Sequence, residues 1–440
     1  MLLAASPTPP IGAHSLLVLL LQIGLLLLLA LLLGRLANRL GLPAIVGELS
    51  AGVLIGPSVL AHALPGVSGW LFPTDPAQFH MLDAVGQLGV LLLLGITGMH
   101  MDLSLVRRRG TTVAKISIAG ILIPLGLGVW IGFLLPAAQV PDSTERLTFA
   151  LFLGVAMGVS AIPVIAKTLM ELRLLHRNIG QLTISAVVID DIAGWILLSV
   201  VSAMATVGVR GGDLALTIAG LIGIIVAARL LRAPVGAVLR RFSRSPDNGP
   251  LVAAVTVLII LGAAGTHALR LEAVFGALVV GILITSTGAV DPARLAPLRI
   301  TVMSVLAPLF FATAGLRMDL TALADPQILV IGLVVLFAAI AGKFIGAYLG
   351  ARLSRLTHWE GLALGAGMNA RGVIEVIIAM VGLRLGVLTP AMYTIIVLVA
   401  VVTSLMAPPL LRLAMARVEN TAEERLRENM YDANPSTTSR

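Results

Sequence analysis

Apolar runs of about 20 residues, each long enough to cross a bilayer as a helix, recur along almost the whole chain. Short clusters rich in Arg, Gly, Pro and Asp separate them. This pattern predicts an all-α polytopic membrane protein with about thirteen transmembrane helices, over 14–34, 42–60, 84–100, 112–136, 147–170, 179–206, 214–231, 251–267, 271–288, 299–316, 328–350, 360–383 and 389–411. After Leu411 the pattern stops. The tail (412–440) is mixed in charge and Ser/Thr-rich at its end, which predicts one short surface helix over Glu419–Met430 and then disorder.

The arginines fit an odd number of crossings with the N-terminus outside and the C-terminus in the cytoplasm. On one side fall Arg35 and Arg39, Arg107 to Arg109, Arg173 and Arg177, Arg229, Arg232, Arg240, Arg241 and Arg244, Arg294 and Arg299, and Arg352 and Arg355. On the other fall only Arg146, Arg210, Arg270, Arg317 and Arg384. The excess has the same sign in every neighbouring pair of loops, as expected when positive loops stay inside. Met1 to Ser15 carries no Lys or Arg, so the first apolar run reads as a retained helix and not as a secretory signal.

Composition agrees. The chain is 58% hydrophobic and 12% charged, with a mean hydropathy of +1.03, whereas soluble domains carry about 25% charged residues. There is no cysteine, which excludes disulfides and thiolate chemistry. No cofactor is expected. The net charge of +8 is read as loop arginine and gives no reason to expect nucleic acid.

Two segments recur. The stretch Leu42 to Ile55 (LPAIVGELSAGVLI) matches Leu271 to Ile284 (LEAVFGALVVGILI) at half its positions, and Gly98 to Leu103 (GMHMDL) matches Gly315 to Leu320 (GLRMDL). Both pairs lie seven helices apart. An odd offset makes the copies face opposite ways, which is an inverted-topology repeat. The same offset pairs helix 5 with helix 12. Helix 5 carries GVSAIP (Gly158 to Pro163) and helix 12 carries GAGMNARG (Gly365 to Gly372), helix-breaking and small polar residues near mid-span. Breaks at matching places in two repeats point to a transport site, though helix 5 alone would also suit a proline kink.

Charges within apolar helices are costly and often functional. Here they are Glu48, Asp190, Asp191, Lys343, Arg371 and Glu375, while Lys115, Lys167 and Glu171 lie near helix ends. Asp190 and Asp191 are adjacent in helix 6 and point about 100° apart. Two bare carboxylates repel in low dielectric, so a proton or a cation must neutralise at least one. That is the competition an exchanger uses. Lys343 in helix 11 is the natural counter-ion, either as a fixed bridge or as a group that releases its proton. Arg371 and Glu375, four apart, suit an internal pair. Ser160 and Asn369 suit ion ligands or caps of broken ends. Glu48 suits pairing or packing.

The stretches Pro43 to Pro57, Ser160 to Thr168 (SAIPVIAKT), Val188 to Trp195 (VIDDIAGW), Ala307 to Leu320, Lys343 and Gly367 to Glu375 (GMNARGVIE) resemble the second monovalent cation:proton antiporter family. The resemblance implies the sodium/proton antiporter fold, with two crossed broken helices and a homodimer. Helices 1–2 and 8–9 would form the scaffold, and helices 4–6 and 11–13 the moving ion-carrying core within a 1–411 transport domain. It implies Asp191 as the shared site for H⁺ and Na⁺, K⁺ or Li⁺, Asp190 paired with Lys343, Ser160, Pro163, Asn369 and Arg371 at the breaks, and electrogenic exchange. The chain departs from relatives that carry a cytosolic regulatory domain. It also departs from sodium-selective relatives with an acid directly after Arg-Gly in helix 12, where Val373 stands here and Glu375 follows two later. A sodium-coupled symporter of an organic solute on a similar fold is the alternative. An intramembrane aspartyl protease, and with it any enzyme, is disfavoured, because its two aspartates must converge from different helices.

Overall fold

The computed structural model describes residues 11–73, 75–100, 110–207, 211–421 and 424. Among them every regular element is helical. Arg107 to Arg109, Arg210, the Met101 to Leu103 part of the repeat and most of the expected tail helix lie outside the described residues.

The principal helices are α1 (Ala13–Arg39), α2 (Ala44–Ile55), α3 (Pro76–His100), α4 (Gly110–Leu134), α5a (Arg146–Gly158), α5b (Ile162–Glu171), α6 (Asn178–Val207), α7 (Gly211–Ser243), α8 (Gly249–Ala268), α9 (Ala273–Ser286), α10 (Ala307–Leu316), α11 (Pro326–Leu353), α12a (His358–Met368), α12b (Val373–Arg384) and α13 (Pro390–Met415). Among the described residues, ten spans are long and apolar enough to cross a membrane, or eleven if the bent pair α12a–α12b is one span. Helices α5a and α9, with 13 and 14 residues, fall short of the length that marks a crossing by itself. The thirteen expected crossings are therefore not reached on length and apolarity alone.

Local chemistry sets the helix ends. Asp325 and Thr389 cap α11 and α13 by accepting from the amides of Gln327 and Met392. Thr357 and Glu360 form a capping box at the start of α12a. α7 runs beyond its expected end at 231 to Ser243, through an internal Pro234. Such prolines are tolerated where neighbours satisfy the freed backbone, and Pro124 in α4 and Pro408 and Pro409 in α13 behave alike. α5 breaks at Val159 to Ala161 instead. Pro163 has no amide hydrogen to return to the carbonyl of Val159, and it sits in the first turn of α5b, where a missing N–H costs nothing.

The chain forms two compact units. One holds residues 1–90 and 300–317, the other 91–299 and 318–440. Within the first, Gly52 of α2 lies against the α10 backbone, where a methyl group would collide with the carbonyl of Ala312, and Gly315 in turn abuts the carbonyl of Leu49. Within the second, Gly281 of α9 abuts the carbonyl of Gly95 on α3, and Gly98 abuts the carbonyl of Leu278. The repeat aligns Gly52 with Gly281, Leu49 with Leu278, and Gly315 with Gly98. The same helix contact is thus made twice with the copies exchanged, as an inverted repeat requires.

At the start of the tail, Glu424 fastens the chain after α13 to the first residue of α6. Its Oε2 accepts from the amide of Thr421 at 2.8 Å, and its Oε1 accepts from the amide of Asn178, the first residue of α6, at 2.5 Å. Arg177 approaches the same carboxylate at 3.3 Å and donates to the carbonyls of Val418 and Glu419. Burial pushes this carboxyl up, but the two amides and Arg177 outweigh it and hold it below its ordinary value of 4.5.

Two outcomes follow. Gly281→Ala is expected to lower stability by about 1–3 kcal/mol, because backbone stands where the methyl must go; an unchanged melting temperature would contradict the contact. Glu424 has a lowered folded-state value, so its contribution is complete above the ordinary carboxylate range and fades as pH falls through the folded value. The melting-temperature gap between the native chain and Glu424→Gln should therefore narrow from about pH 7 to about pH 3, and a gap independent of pH would refute the role.

Candidate functional site: a buried charge cluster at two broken helices

A glycine stripe brings α11 against α4. Gly342, Gly346 and Gly350 are spaced four apart, and a Cβ on them would stand 2.9 Å from Pro124 Cα, 2.5 Å from the Ala119 carbonyl oxygen and 2.6 Å from Ile116 Cα. Small residues at this spacing let helix backbones touch. Gly128 and Gly132 do the same for α4 against α5a, meeting the backbone at Gly154 and Ala150. The three helices close up around the side chain of Lys343.

Lys343 is fully buried. Its ammonium donates to the carbonyl of Gly120 on α4 at 3.0 Å, to that of Gly158 at the end of α5a at 2.6 Å, and to Asp190 Oδ2 at 2.7 Å. An ammonium has three protons, and here each has an acceptor.

The two breaks meet directly. The amide of Ala161 donates to the carbonyl of Ala370 at 3.2 Å. The hydroxyl of Ser160 is 2.7 Å from the carbonyl of Met368 and 3.1 Å from Asp190 Oδ2, with one proton for two acceptors. Arg371, in the α12 break, donates to the carbonyls of Ala156 and Met157 at 3.2 and 2.6 Å and to Ala339 of α11 at 3.1 Å. With Lys343 on Gly158, two cations satisfy the last carbonyls of α5a, which carry the negative end of its dipole. Glu375 accepts from the amide of Gly372 at 2.7 Å and so caps the start of α12b. Ser404 of α13 hydrogen-bonds the Arg371 carbonyl.

Asp191 differs from these groups. It is fully buried, and neither carboxylate oxygen has a hydrogen-bond partner. Asn369, also fully buried, has both amide atoms unpartnered. Counted as ions, Asp190, Asp191 and Glu375 face Lys343 and Arg371, which leaves one carboxylate in excess. Buried charge of that kind must be neutralised, and a proton or a monovalent cation can do it.

The sequence expectations can be placed residue by residue. Asp190, Lys343 and Ser160 come together through hydrogen bonds to Asp190 Oδ2. Pro163 stands in the first turn of α5b. Asn369 and Arg371 lie in the α12 break. The expected Arg371–Glu375 pair does not form: the guanidinium reaches back to α5a and the carboxylate caps α12b. Spacing of four favours a pair on a continuous helix, but residue 371 precedes the helix that holds 375, so each group serves the nearest unsatisfied backbone. Glu48 belongs to the other unit. The sequence reading missed two contributors, Ser404 and the α11 glycine stripe. The stripe was visible as GxxxGxxxG; the serine carried no signal.

Lys343→Ala should cost about 3–5 kcal/mol, because it leaves Asp190 charged and alone. The double change Lys343→Ala with Asp190→Asn should recover part of that loss in a thermal-melting cycle. Strictly additive losses would contradict the pairing.

Comparison with known proteins places the chain in a family. A family profile described as "Sodium/hydrogen exchanger, transmembrane" covers residues 24–416. The Na(+)/H(+) antiporter NhaS4 of Synechocystis sp. is 30% identical over 403 residues, which is 90% of this chain and 97% of that protein. The Cation/H(+) antiporter 17 of Arabidopsis thaliana is 30% identical over 399 residues, 90% of this chain but 48% of that protein. The chain thus spans about half the length of the plant relatives it matches. The solved structure of the sodium proton antiporter MjNhaP1 from Methanocaldococcus jannaschii superposes with a TM-score of 0.70 at 19% identity, covering 91% of this chain and 99% of that one, and shows the shared fold. A multi-pass helical protein with this repeat, this crossing and this match belongs to the sodium/hydrogen exchanger family.

Proposed function

We propose that the chain is a secondary antiporter that exchanges H⁺ for Na⁺, K⁺ or Li⁺ by alternating access, with Asp191 as the shared site. The observation that carries this reading is the buried Asp191 carboxylate with no hydrogen-bond partner, in a cluster with one carboxylate in excess. Either proton or cation neutralises it, and each excludes the other. Asp190 is held by Lys343 and sets the field beside the site. Ser160 and Asn369 stand at the breaks as candidate oxygen donors to a dehydrated cation. Electrogenic exchange takes its second proton from the Lys343–Asp190 pair: a cation that draws the Asp190 carboxylate frees the ammonium to release one. Glu375 and Arg371 hold the breaks in shape.

The reading extends to the assembly. Helices α4–α6 and α11–α13 form the ion-carrying core, α1–α2 and α8–α9 serve as scaffold and dimer contact, and residues 412–440 form a cytoplasmic tail. The protein resides in the cell membrane with its N-terminus outside, a direction supported by the arginine asymmetry of the loops. No observation favours a sodium-coupled symporter.

The test is exchange in liposomes with an internal pH dye. Adding Na⁺, K⁺ or Li⁺ should dissipate an imposed proton gradient. Asp191→Asn should reduce the signal to that of empty liposomes while leaving the protein folded. Exchange undiminished in that variant would overturn the assignment.

A further inference from the structure

A cavity of about 390 Å³ lies between α6, α7 and α9. Its inner wall is apolar, formed by Ile192 and Ile196 of α6, Ile225 of α7, and Phe275 and Leu278 of α9. Its polar lining is Arg229, Arg232 and Ser286. The arginines are three apart on α7 and share a face. Arg232 reaches across the cavity to the carbonyl of Ser286. Arg229 is exposed and has no hydrogen bond or ion pair among the described residues. We propose that this cavity binds an anionic glycerophospholipid, with one acyl chain in the apolar part and the phosphate on Arg229 and Arg232.

Three considerations select that occupant. Apolar walls hold water poorly, while a cavity of this size matches those that enclose small organic groups. The outer face of α7 is apolar and exposed at Ile222, Val226 and Leu230, so hydrocarbon is the medium at the cavity mouth. Paired guanidinium groups suit a phosphate, and basic pockets between membrane helices take anionic headgroups. An amphiphile with a negative head satisfies both the walls and the rim; a free anion satisfies only the rim and a neutral lipid only the walls.

The site goes beyond the exchange reading and does not rest on it. It does have a bearing on it, because Ile192 follows Asp191 directly. A chain seated here packs between the turn of α6 that carries the aspartates and α9, and so resists displacement of one helix against the other.

The experiment is a lipid titration of the delipidated, detergent-solubilised full chain, read by melting temperature and by native mass spectrometry. Phosphatidylglycerol should raise the melting temperature and be retained on the protein, whereas phosphatidylcholine with the same chains and free glycerol phosphate should do neither. Arg229→Gln with Arg232→Gln should shift the midpoint at least about tenfold to higher lipid. Leu278→Trp, which fills the apolar part but keeps both arginines, should do the same. The melting temperature without lipid reports whether each variant is folded. Equal effects of the two lipids, a full response to glycerol phosphate alone, or unchanged midpoints in both variants would overturn the proposal. None of these readouts involves transport, so the result stands apart from the liposome assay.

Discussion

An ammonium group carries three protons, and the interior around Lys343 supplies an oxygen for each. Much of the site follows from that saturation. Two of the acceptors are main-chain carbonyls, on α4 and at the end of α5a, and they fix those helices to α11. The third is Asp190. Because the lysine is fully engaged, it has no proton left for Asp191. The second aspartate is thus left without a cationic partner although it is the very next residue. Adjacent positions on a helix point about 100° apart, which turns a simple sequence doublet into one bound carboxylate and one unbound.

The close approach of α4 and α11 makes this possible. A lysine side chain reaches a fixed distance, so carbonyls on two other helices can be its acceptors only if the backbones nearly touch. The glycines at 342, 346 and 350 provide that contact. The same device recurs where α2 meets α10 and where α9 meets α3. In hydrocarbon, apolar side chains gain little by meeting one another, and van der Waals contact between bare backbones takes over that role.

Much of this was legible in the sequence, and for identifiable reasons. Helix type came from long apolar runs, which few other structures can explain. The repeat was legible because the aligned glycines at 52 and 281 both stand where backbone leaves no room for a side chain. That Lys343 would serve one of the two aspartates was legible because an unpaired charge in an apolar helix requires a partner; the choice of Asp190 came from the resemblance alone. What was not legible depends on backbone that no longer follows helical geometry. Arg371 and Glu375 have the spacing of a helical pair, yet the chain between them turns at Gly372, and both satisfy exposed backbone ends instead. The short α5a and α9 likewise left the number of full crossings open to length. Glu424 lay in a tail whose composition suggests only a solvated surface, and nothing in its neighbours marks α6 as its partner.

The bond from the Ala161 amide to the Ala370 carbonyl joins the two breaks through main chain alone. Side chains there can be exchanged freely without touching it, so selection sees this bond only through the backbone shape on either side. Proline at position 161 is the one ordinary residue that would remove the donor outright. Any other substitution at that position leaves the main-chain tie between the two half-helix pairs in place.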